Sequence, residues 1–452
     1  MIRFFQSLYL SQRLYIALAV LVALFIFGQF FFFVYAIAKV LLITTVAFII
    51  VDMMLLYSTG KNAIVANRHV TERLSNGDDN EIKIQITNNF SYQAHLTIID
   101  EIPAQFQIRD FAIYQTLNPA ESKTIMYKLR PVERGEYHFG ALNIFVRTVI
   151  GLVNRRLKFN FETNVAVYPS YIQMRKYELM AISDRLTEVG IKKVRRISQH
   201  AEFDQIREYV HGDDYRTLNW KATARRGRYM VNQYQDERSQ HVYSIIDMGR
   251  TMKMPFEGMS LLDYAINASL IISNIAMYKH DKAGLITFTD KINSFIPAQR
   301  TGKQMLTILE MLYKQTTNFA ESNLELLYIT IRHNIKQRSL LLLYTNFEGF
   351  TSLNRQLRFL KRLAKNHLVV VIFFENTEIK ALVTNTETGE YKKATNIEQV
   401  YTRTIAEKFV YEKKLIVKEL NKNGIHCILT EPQKLNVGVI NKYLELKARG
   451  LI

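Results

Sequence analysis

The sequence has little of several residue types on which common functional sites depend. It contains one cysteine, one tryptophan and seven prolines in 452 residues. The single cysteine, Cys427, excludes an intramolecular disulfide and a cysteine-rich zinc cluster, and its apolar neighbours favour a small core residue. No glycine-rich loop of the Walker type is present, and no histidine lies beside a nucleophile elbow. The sequence therefore offers no motif for nucleotide hydrolysis or for a Ser-His-Asp hydrolase.

Acidic residues are also scarce relative to basic ones. The chain has 59 lysines and arginines against 41 acidic residues, a formal net charge of +18. Such an excess indicates either a nucleic-acid partner or an anionic membrane surface. No aromatic and basic recognition motif accompanies the charge, so we expect a membrane and no nucleic acid.

One long apolar run, from residue 14 to residue 57, indicates membrane anchoring. Its strongly polar residues are Gln29, Lys39 and Asp52. At 1.5 Å per residue the run can cross a hydrocarbon core of about 30 Å twice. We expect a helical hairpin with spans at 14–33 and 38–57 and a turn near 34–37. A signal peptide fits poorly because the run is too long and lacks a cleavage site, and a buried core hairpin is the remaining alternative.

Basic residues set the expected orientation of this hairpin. Arg3 and Arg13 precede the first span, and Lys61, Arg68 and Arg73 follow the second. The turn region offers only Lys39, so the positive-inside rule predicts both ends in the cytoplasm. The soluble domains would then face the cytoplasm from the inner cell membrane. Asp52 lies near the cytoplasmic end of the second span, and we expect its side chain to snorkel to the interface.

The hydrophobic period changes twice after the apolar run. Segments such as 81–86 and 95–99 alternate with period two between turn residues, which predicts an antiparallel β-sandwich. After residue 242 apolar strands alternate with helical patterns, which predicts a doubly wound, Rossmann-like α/β domain with a parallel sheet. The predicted strands are 242–246, 283–288, 293–296, 340–344, 368–374 and 425–429, and the predicted helices are 261–278, 304–313, 324–334, 352–364, 402–421 and 437–447. The predicted domains are the transmembrane hairpin 1–60, the β-sandwich 61–170, a polar connector 171–240 and the α/β domain 241–452.

Ligands of open α/β sheets bind at the carboxyl ends of strands, and the first strand here ends in Asp247-Met248-Gly249-Arg250-Thr251. This resembles a von Willebrand factor A-type domain, which places Asp-x-Ser-x-Ser here and adds a later Thr and Asp as oxygen ligands of Mg²⁺. The candidate ligands are Asp247, Thr251, Thr317 and Asn346. Gly249 lacks a hydroxyl, Asn346 replaces the carboxylate, and Arg250 adds positive charge. We therefore expect no cofactor, with a weak Mg²⁺ site or a metal-free binding face as alternatives.

A more distinctive motif precedes the α/β domain. It consists of Glu202, Arg207, Tyr209, Gly212, Asp213, Asp214, Arg216, Asn219, Trp220 and Arg225. Arginine pairs with carboxylates through a bidentate fork, so this set predicts a buried polar clamp between the sandwich and the α/β domain. The alternative is an acidic active site on Glu202, Asp213 and Asp214. The Gly-Asp-Asp triplet alone is a very weak signal for a two-metal polymerase.

The order of these elements resembles the family called domain of unknown function 58. The resemblance covers nearly the whole chain, and its most specific part runs from Arg207 to Trp220. Further elements are Asp100-Glu101-Ile102-Pro103, Arg134-Gly135-Glu136-Tyr137 and Gly151-Leu152. Val149-Ile150 stands where the family often has Asp-Pro-Phe. The resemblance implies a partnership with MoxR-type AAA+ ATPases, which assemble or activate other complexes, and no enzymatic activity of the chain itself.

From these patterns we expect a membrane-anchored, non-catalytic scaffold for protein–protein interaction. Its von Willebrand factor A-like domain would present strand-end loops to a protein partner. The alternatives are an enzyme that uses the acidic cluster and an Mg²⁺-dependent adhesion module.

Overall fold

The computed structural model describes residues 6–182, 202–211, 213–235, 239–317, 320–383 and 396–451. Contacts divide the chain into two compact units, Met1–Tyr168 and Pro169–Ile452. We call them the amino-terminal unit and the carboxy-terminal unit.

Two apolar helices open the amino-terminal unit, α1 (Gln12–Gly28) and α2 (Phe32–Ser58). The turn predicted at 34–37 is wrong, because those residues belong to α2 and the chain reverses at 29–31. Gly28 permits this early turn: a Cβ atom there would lie 2.9 Å from the Cα atom of Tyr35. The rings of Phe25 and Tyr35 then meet edge to face, with centroids 5.9 Å apart.

The two helices differ in length. At 1.5 Å per residue α2 extends about 40 Å and α1 about 25 Å, and α2 has the length and composition of a membrane span. Most of its apolar side chains are exposed. A water-soluble unit would bury such a surface, so the two helices suggest membrane association.

Eleven strands form the rest of this unit. They are β1 Leu8–Leu10, β2 Ile64–His69, β3 Arg73–Ser75, β4 Asn80–Asn88, β5 Ala94–Asp100, β6 Ile113–Leu117, β7 Ser122–Leu129, β8 Gly135–Phe139, β9 Leu142–Arg147, β10 Val153–Phe159 and β11 Thr163–Tyr168. They form three sheets, β1-β10-β9-β5-β6, β2-β4-β7 and β3-β11-β8. All neighbours are antiparallel except β3 and β11.

The sheets β1-β10-β9-β5-β6 and β2-β4-β7 share one hydrophobic core. Alternate residues of β4, including Ile84 and Ile86, and of β9, including Ile144 and Val146, are fully buried in it. Leu56 from the end of α2 belongs to the same core. The period-two pattern thus gives β4 and β9 one buried face each.

Asp52 attaches α2 to the β-sheet structure. Its side chain is fully buried, and its carboxylate accepts hydrogen bonds from the hydroxyl of Thr148 and from the backbone N–H groups of Leu152 (2.8 Å) and Val153 (2.9 Å). The predicted snorkelling of Asp52 is therefore wrong. A buried carboxylate needs partners of its own, and the 148–153 loop supplies three donors.

The same loop and the start of β10 hold both helices. The Ser11 hydroxyl caps α1 and donates to the Gly151 carbonyl (2.7 Å). The Arg155 guanidinium donates to the carbonyls of Leu56 (2.6 Å) and Gly60 (2.7 Å) at the end of α2. Gly151 has φ +69°, a conformation that favours glycine. The loop therefore fixes the position of the apolar helices on the sheet.

The carboxy-terminal unit contains ten strands and nine helices in its described part. The strands are β12 Glu202–Glu208, β13 Met230–Gln235, β14 His241–Asp247, β15 Pro255–Phe256, β16 Met259–Ser260, β17 Lys282–Phe288, β18 Ile292–Gln299, β19 Leu340–Tyr344, β20 Leu368–Phe374 and β21 His426–Thr430. The helices are α3 Tyr171–Ile182, α4 Trp220–Arg226, α5 Leu261–Tyr278, α6 Gln304–Tyr313, α7 Leu324–Asn334, α8 Phe350–Asn366, α9 Thr377–Val383, α10 Ile397–Lys422 and α11 Leu435–Ala448.

A six-stranded sheet organises this unit, in the order β18-β17-β14-β19-β20-β21. All neighbours are parallel except β17 and β18. Helices α5, α6 and α11 pack on one face, and α7, α8 and α10 on the other. Helix α5 is long and apolar enough to cross a membrane, but 78% of it is buried, so it is a core helix of this unit. The mixed α/β architecture predicted from the sequence is confirmed.

We predict that Asp52→Ala destabilises the amino-terminal unit by about 2–4 kcal/mol, because it leaves buried N–H groups and a hydroxyl without an acceptor. Thermal unfolding of the detergent-solubilised protein measures the change. Met54→Ala, at an exposed position of the same helix, is the control and should have little effect. Equal melting temperatures for the two variants would contradict the role assigned to Asp52.

Candidate functional site

The carboxyl edge of the parallel sheet is where a ligand of such a fold binds. The chain runs from β14 outward to β17 and β18, and then crosses to β19 on the other side of β14. Asp247 ends β14 and Thr345 follows β19, so both lie where the strand order reverses.

The Asp247 carboxylate is enclosed by hydrogen-bond donors. It is buried, and it accepts from the backbone N–H of Gly249 (2.8 Å), the hydroxyl of Thr345 (2.7 Å) and the hydroxyl of Ser322. Burial raises the pKa of Asp247, and these hydrogen bonds oppose the rise. The donors satisfy the carboxylate within the protein.

Ser322 occupies the space left by the missing serine of the loop. A Cβ atom on Gly249 would collide with the Ser322 hydroxyl oxygen. The hydroxyl that Gly249 lacks thus comes from the residues just before α7. The sequence reasoning missed Ser322, because a single serine in a loop carries no spacing signal.

The other predicted ligands are not hydrogen-bonded to Asp247. No hydrogen bond joins Thr251, Thr317 or Asn346 to Asp247 in the described part of the chain. The Asn346 side chain instead accepts a hydrogen bond from Lys413 Nζ (2.7 Å), which also donates to the Phe347 carbonyl (2.6 Å). Lys413 belongs to α10 and brings a cation to this edge of the sheet.

This donor set does not fit a divalent cation. Mg²⁺ prefers several hard, anionic oxygen ligands, but among the described residues no group of three or more His, Cys, Asp or Glu side chains could hold a metal. Asp247 is the buried carboxylate at this position, and Lys413 supplies positive charge nearby.

A crevice of about 520 Å³ opens beside this position. Its apolar lining includes Phe256, Phe347, Phe374, Ile379, Phe409 and Val410. Two carboxylates line it, and both have cationic partners: Glu348 pairs with Arg250 (2.8 Å) and Glu375 with Lys380 (3.1 Å). Lys413 has no carboxylate partner among the described residues. Burial lowers the pKa of Lys413 to about 8, so this ammonium group is poorly solvated.

The signature motif forms a small surface structure. Arg207 and Asp213 form a bidentate ion pair with distances of 2.8 and 2.7 Å. This pair holds the pKa of the Asp213 carboxyl below its usual range. Asp214 caps the turn that begins at Tyr215, and Asn219 caps α4. Gly212 lies outside the described residues, as does the side chain of Glu202.

The interpretation of this motif as a buried cluster is wrong. Trp220 is 68% exposed and Tyr215 is 70% exposed. Asp214 and Asn219 are used as helix caps, so the predicted interlocked network reduces to the Arg207–Asp213 pair in the described part of the motif. Arg216 lies 5.8 Å from the ring of Tyr215, and Arg225 is exposed. Tyr209 lies edge to face with the ring of Tyr229.

Residues 205–410 match the family described as "Protein of unknown function DUF58". This match includes the motif from Arg207 to Trp220, and it confirms the resemblance drawn from the sequence. It covers a little less than half of the chain.

The chain is also similar to individual proteins. It is 31% identical over 128 residues to "Uncharacterized protein YeaD" of Bacillus subtilis (strain 168), which is 28% of this chain and 31% of that protein. The conserved hypothetical protein BatB from Bacteroides thetaiotaomicron is similar at 10% identity, with a TM-score of 0.29, over 47% of this chain and 100% of that one. The SpRpn10 VWA domain is similar at 12% identity, with a TM-score of 0.26, over 45% and 94%. These scores are low, so the α/β architecture rests on the strand order of this chain.

The other elements of the DUF58 resemblance lie in the amino-terminal unit and are structural. Asp100 forms a buried ion pair with Arg68 (2.5 Å). Glu101 accepts hydrogen bonds from the Ala141 N–H (2.9 Å) and the Asn143 side chain (2.7 Å). The Gly151-Leu152 element lies in the loop that holds Asp52, so its role is to fix the apolar helices.

We predict that Gly249→Ser destabilises the carboxy-terminal unit by about 1–3 kcal/mol, because the new side chain collides with Ser322. Ser322→Ala should also destabilise it, through the lost hydrogen bond to Asp247. The double variant should be more stable than either single variant, since one hydroxyl then fills the space. Denaturant unfolding of the wild type, the two single variants and the double variant gives the coupling free energy between the two positions. Additive effects would contradict the inference that the Ser322 hydroxyl takes the place of a serine at position 249.

A second prediction concerns the pH dependence of stability. Burial lowers the pKa of Lys413 to about 8 in the folded chain, from an ordinary value of 10.5. The unfolded chain therefore binds more protons between these pH values, and wild-type stability should rise with pH there. Relative to Lys413→Met, the wild-type free energy of unfolding should increase by about 3 kcal/mol across this window. The exposed neighbour Lys414→Met is the control, and a constant difference between wild type and Lys413→Met would contradict the burial of the ammonium group.

Proposed function

We propose that this chain is a membrane-anchored, non-catalytic scaffold that binds a protein partner in its strand-end crevice. The observation that carries the proposal is the crevice itself, which is open and largely apolar, beside a carboxylate that is satisfied within the protein. Apolar pockets with a few placed polar groups are typical binding sites.

Membrane anchoring is supported by α1 and α2. Their apolar side chains are largely exposed, and the 148–153 loop fixes them on the sheets through Asp52. The paired sheets support a β-sandwich next to this anchor, and the basic residues around the helices favour soluble domains on the cytoplasmic side.

The chemistry of the crevice defines the partner segment that we propose. Apolar walls favour apolar side chains, and Lys413 favours a carboxylate, because both carboxylates of the lining already have cationic partners. The partner would therefore present an apolar segment with an acidic residue. A MoxR-type AAA+ ATPase is the partner that the family resemblance implies, and the nucleotide hydrolysis would be its own.

Catalysis by the acidic residues of the signature has less support. Asp213 is tied to Arg207, and its lowered pKa keeps it ionised and unsuited to act as a general acid at neutral pH. Asp214 is used as a cap. We therefore propose that the signature, like the crevice, has no catalytic role.

The proposal predicts a partner that depends on the crevice. Phe409 lines it and is partly exposed, while Tyr411, two residues further along α10, is exposed outside it. The full-length protein, purified in mild detergent, should retain an AAA+ ATPase identified by mass spectrometry. Phe409→Asp should reduce that recovery about tenfold, since buried aromatic anchors dominate interfaces, and Tyr411→Asp should leave it unchanged.

Two results would contradict the proposal. One is repeated purification of the wild-type protein without any stable protein partner. The other is an equal effect of Phe409→Asp and Tyr411→Asp, which would place the contact elsewhere on the surface.

A further inference from the structure

Part of the positive charge of the chain lies on one surface of the carboxy-terminal unit. Eight cations lie on or directly after α7 and along α8, and all of them are exposed. We call this surface the basic face: Arg332, Lys336, Arg338, Arg355, Arg358, Lys361, Arg362 and Lys365.

Acidic residues are nearly absent from this part of the chain. Between residues 326 and 374 the sequence contains one, Glu348, and that carboxylate pairs with Arg250 at the crevice. None of the eight cations forms an ion pair with a carboxylate in the described structure. Like charges at this density repel each other.

The fold places these cations on one side. Leu353, Leu357, Leu360 and Leu363 of α8 are buried against the sheet, so the opposite side of the helix carries its five cations. Helix α7 packs beside α8, and the Arg362 guanidinium lies 5.9 Å from the ring centre of Tyr328 on α7. The two helices therefore present a continuous surface.

We propose that the basic face binds the anionic headgroups of a lipid bilayer. This proposal rests on the proposed membrane anchoring, because a chain held at a bilayer meets a high local concentration of headgroups. Besides its cations, the exposed side of α8 carries uncharged polar residues such as Thr351 and Asn354. Contact with the bilayer would therefore be electrostatic and without insertion of apolar side chains.

An anionic bilayer fits this surface better than nucleic acid. Phe359 of α8 is buried and Phe350 is half-buried against the core, so α8 carries no exposed aromatic residue to stack on bases. Charge alone gives the non-specific attraction that a headgroup surface requires. Nucleic acid is treated as a competing outcome of the test.

The test uses the full-length protein in lipid nanodiscs. A fluorophore on Asn354→Cys, in a Cys427→Ala background, reports on the surface of α8, and a quencher is placed on lipid headgroups. One set of discs contains phosphatidylcholine, and the other adds phosphatidylglycerol. We expect stronger quenching in the anionic discs and its loss at about 0.5 M salt, where screening is strong.

Matched triple variants show whether the basic face is responsible. Arg355→Gln, Arg358→Gln and Lys361→Gln together should lower the docked-to-free ratio roughly 100-fold. The control removes three exposed cations beside β18 through Lys291→Gln, Arg300→Gln and Lys303→Gln, and it should retain the quenching. Both variants leave buried residues untouched, and their melting temperatures verify folding.

The outcomes separate this inference from the proposed anchoring. Failure of the protein to co-elute with any disc would contradict anchoring itself. Co-elution with equal quenching in neutral and anionic discs would overturn the basic face as a lipid-binding surface. Equal loss in both triple variants would do the same, as would a reporter that responds only to an added DNA duplex.

Discussion

The structure of the amino-terminal unit depends on one buried carboxylate. Asp52 lies on a helix that is otherwise apolar, and its cost of burial is offset only because the 148–153 loop points a hydroxyl and two N–H groups at it. The requirement is mutual, since those donors would otherwise be buried without acceptors. These hydrogen bonds fix the axial position and the rotation of the helix. Apolar packing alone would define both less specifically. Ser11 and Arg155 bind the helix ends to the same segment, so the apolar pair and the sheets form one structural unit.

A similar constraint acts at the edge of the six-stranded sheet. Asp247 is buried where the strand order reverses, and it is satisfied by Gly249, Ser322 and Thr345. The hydroxyls of Ser322 and Thr345 donate to the Asp247 carboxylate, so these polar groups satisfy one another within the protein. The neighbouring crevice then differs in character: its lining is apolar, its carboxylates are paired, and Lys413 carries the charge that remains. This contrast supports the proposed binding of an acidic, apolar segment over metal or acid–base chemistry.

Sequence patterns predicted the α/β unit well because hydrophobic period and burial act together there. The predicted helices 261–278, 304–313 and 324–334 have the observed limits, and so do the strands 340–344 and 368–374. The helix Thr377–Val383 was missed because it is short and bears no long apolar period. The turn between the apolar helices was misplaced, since a run without polar residues gives no register and only the Gly28–Tyr35 contact locates it. The hydrogen bonding of Asp52 and Ser322 and the exposure of Trp220 could not be predicted. They depend on how residues far apart in the sequence pack, which no local spacing reveals.

The crevice and the basic face of the carboxy-terminal unit differ in their chemistry. In the crevice, one poorly solvated ammonium group lies among apolar side chains, where salt screens it little. On the basic face, eight exposed cations attract by number, and salt weakens that attraction strongly. Glu348, the acidic residue between 326 and 374, pairs with Arg250 at the crevice, so no carboxylate of that segment remains to neutralise the basic face. A partner held mainly by apolar contacts should thus persist at a salt concentration that releases the basic face from lipid, which makes the two interactions separable in the same preparation.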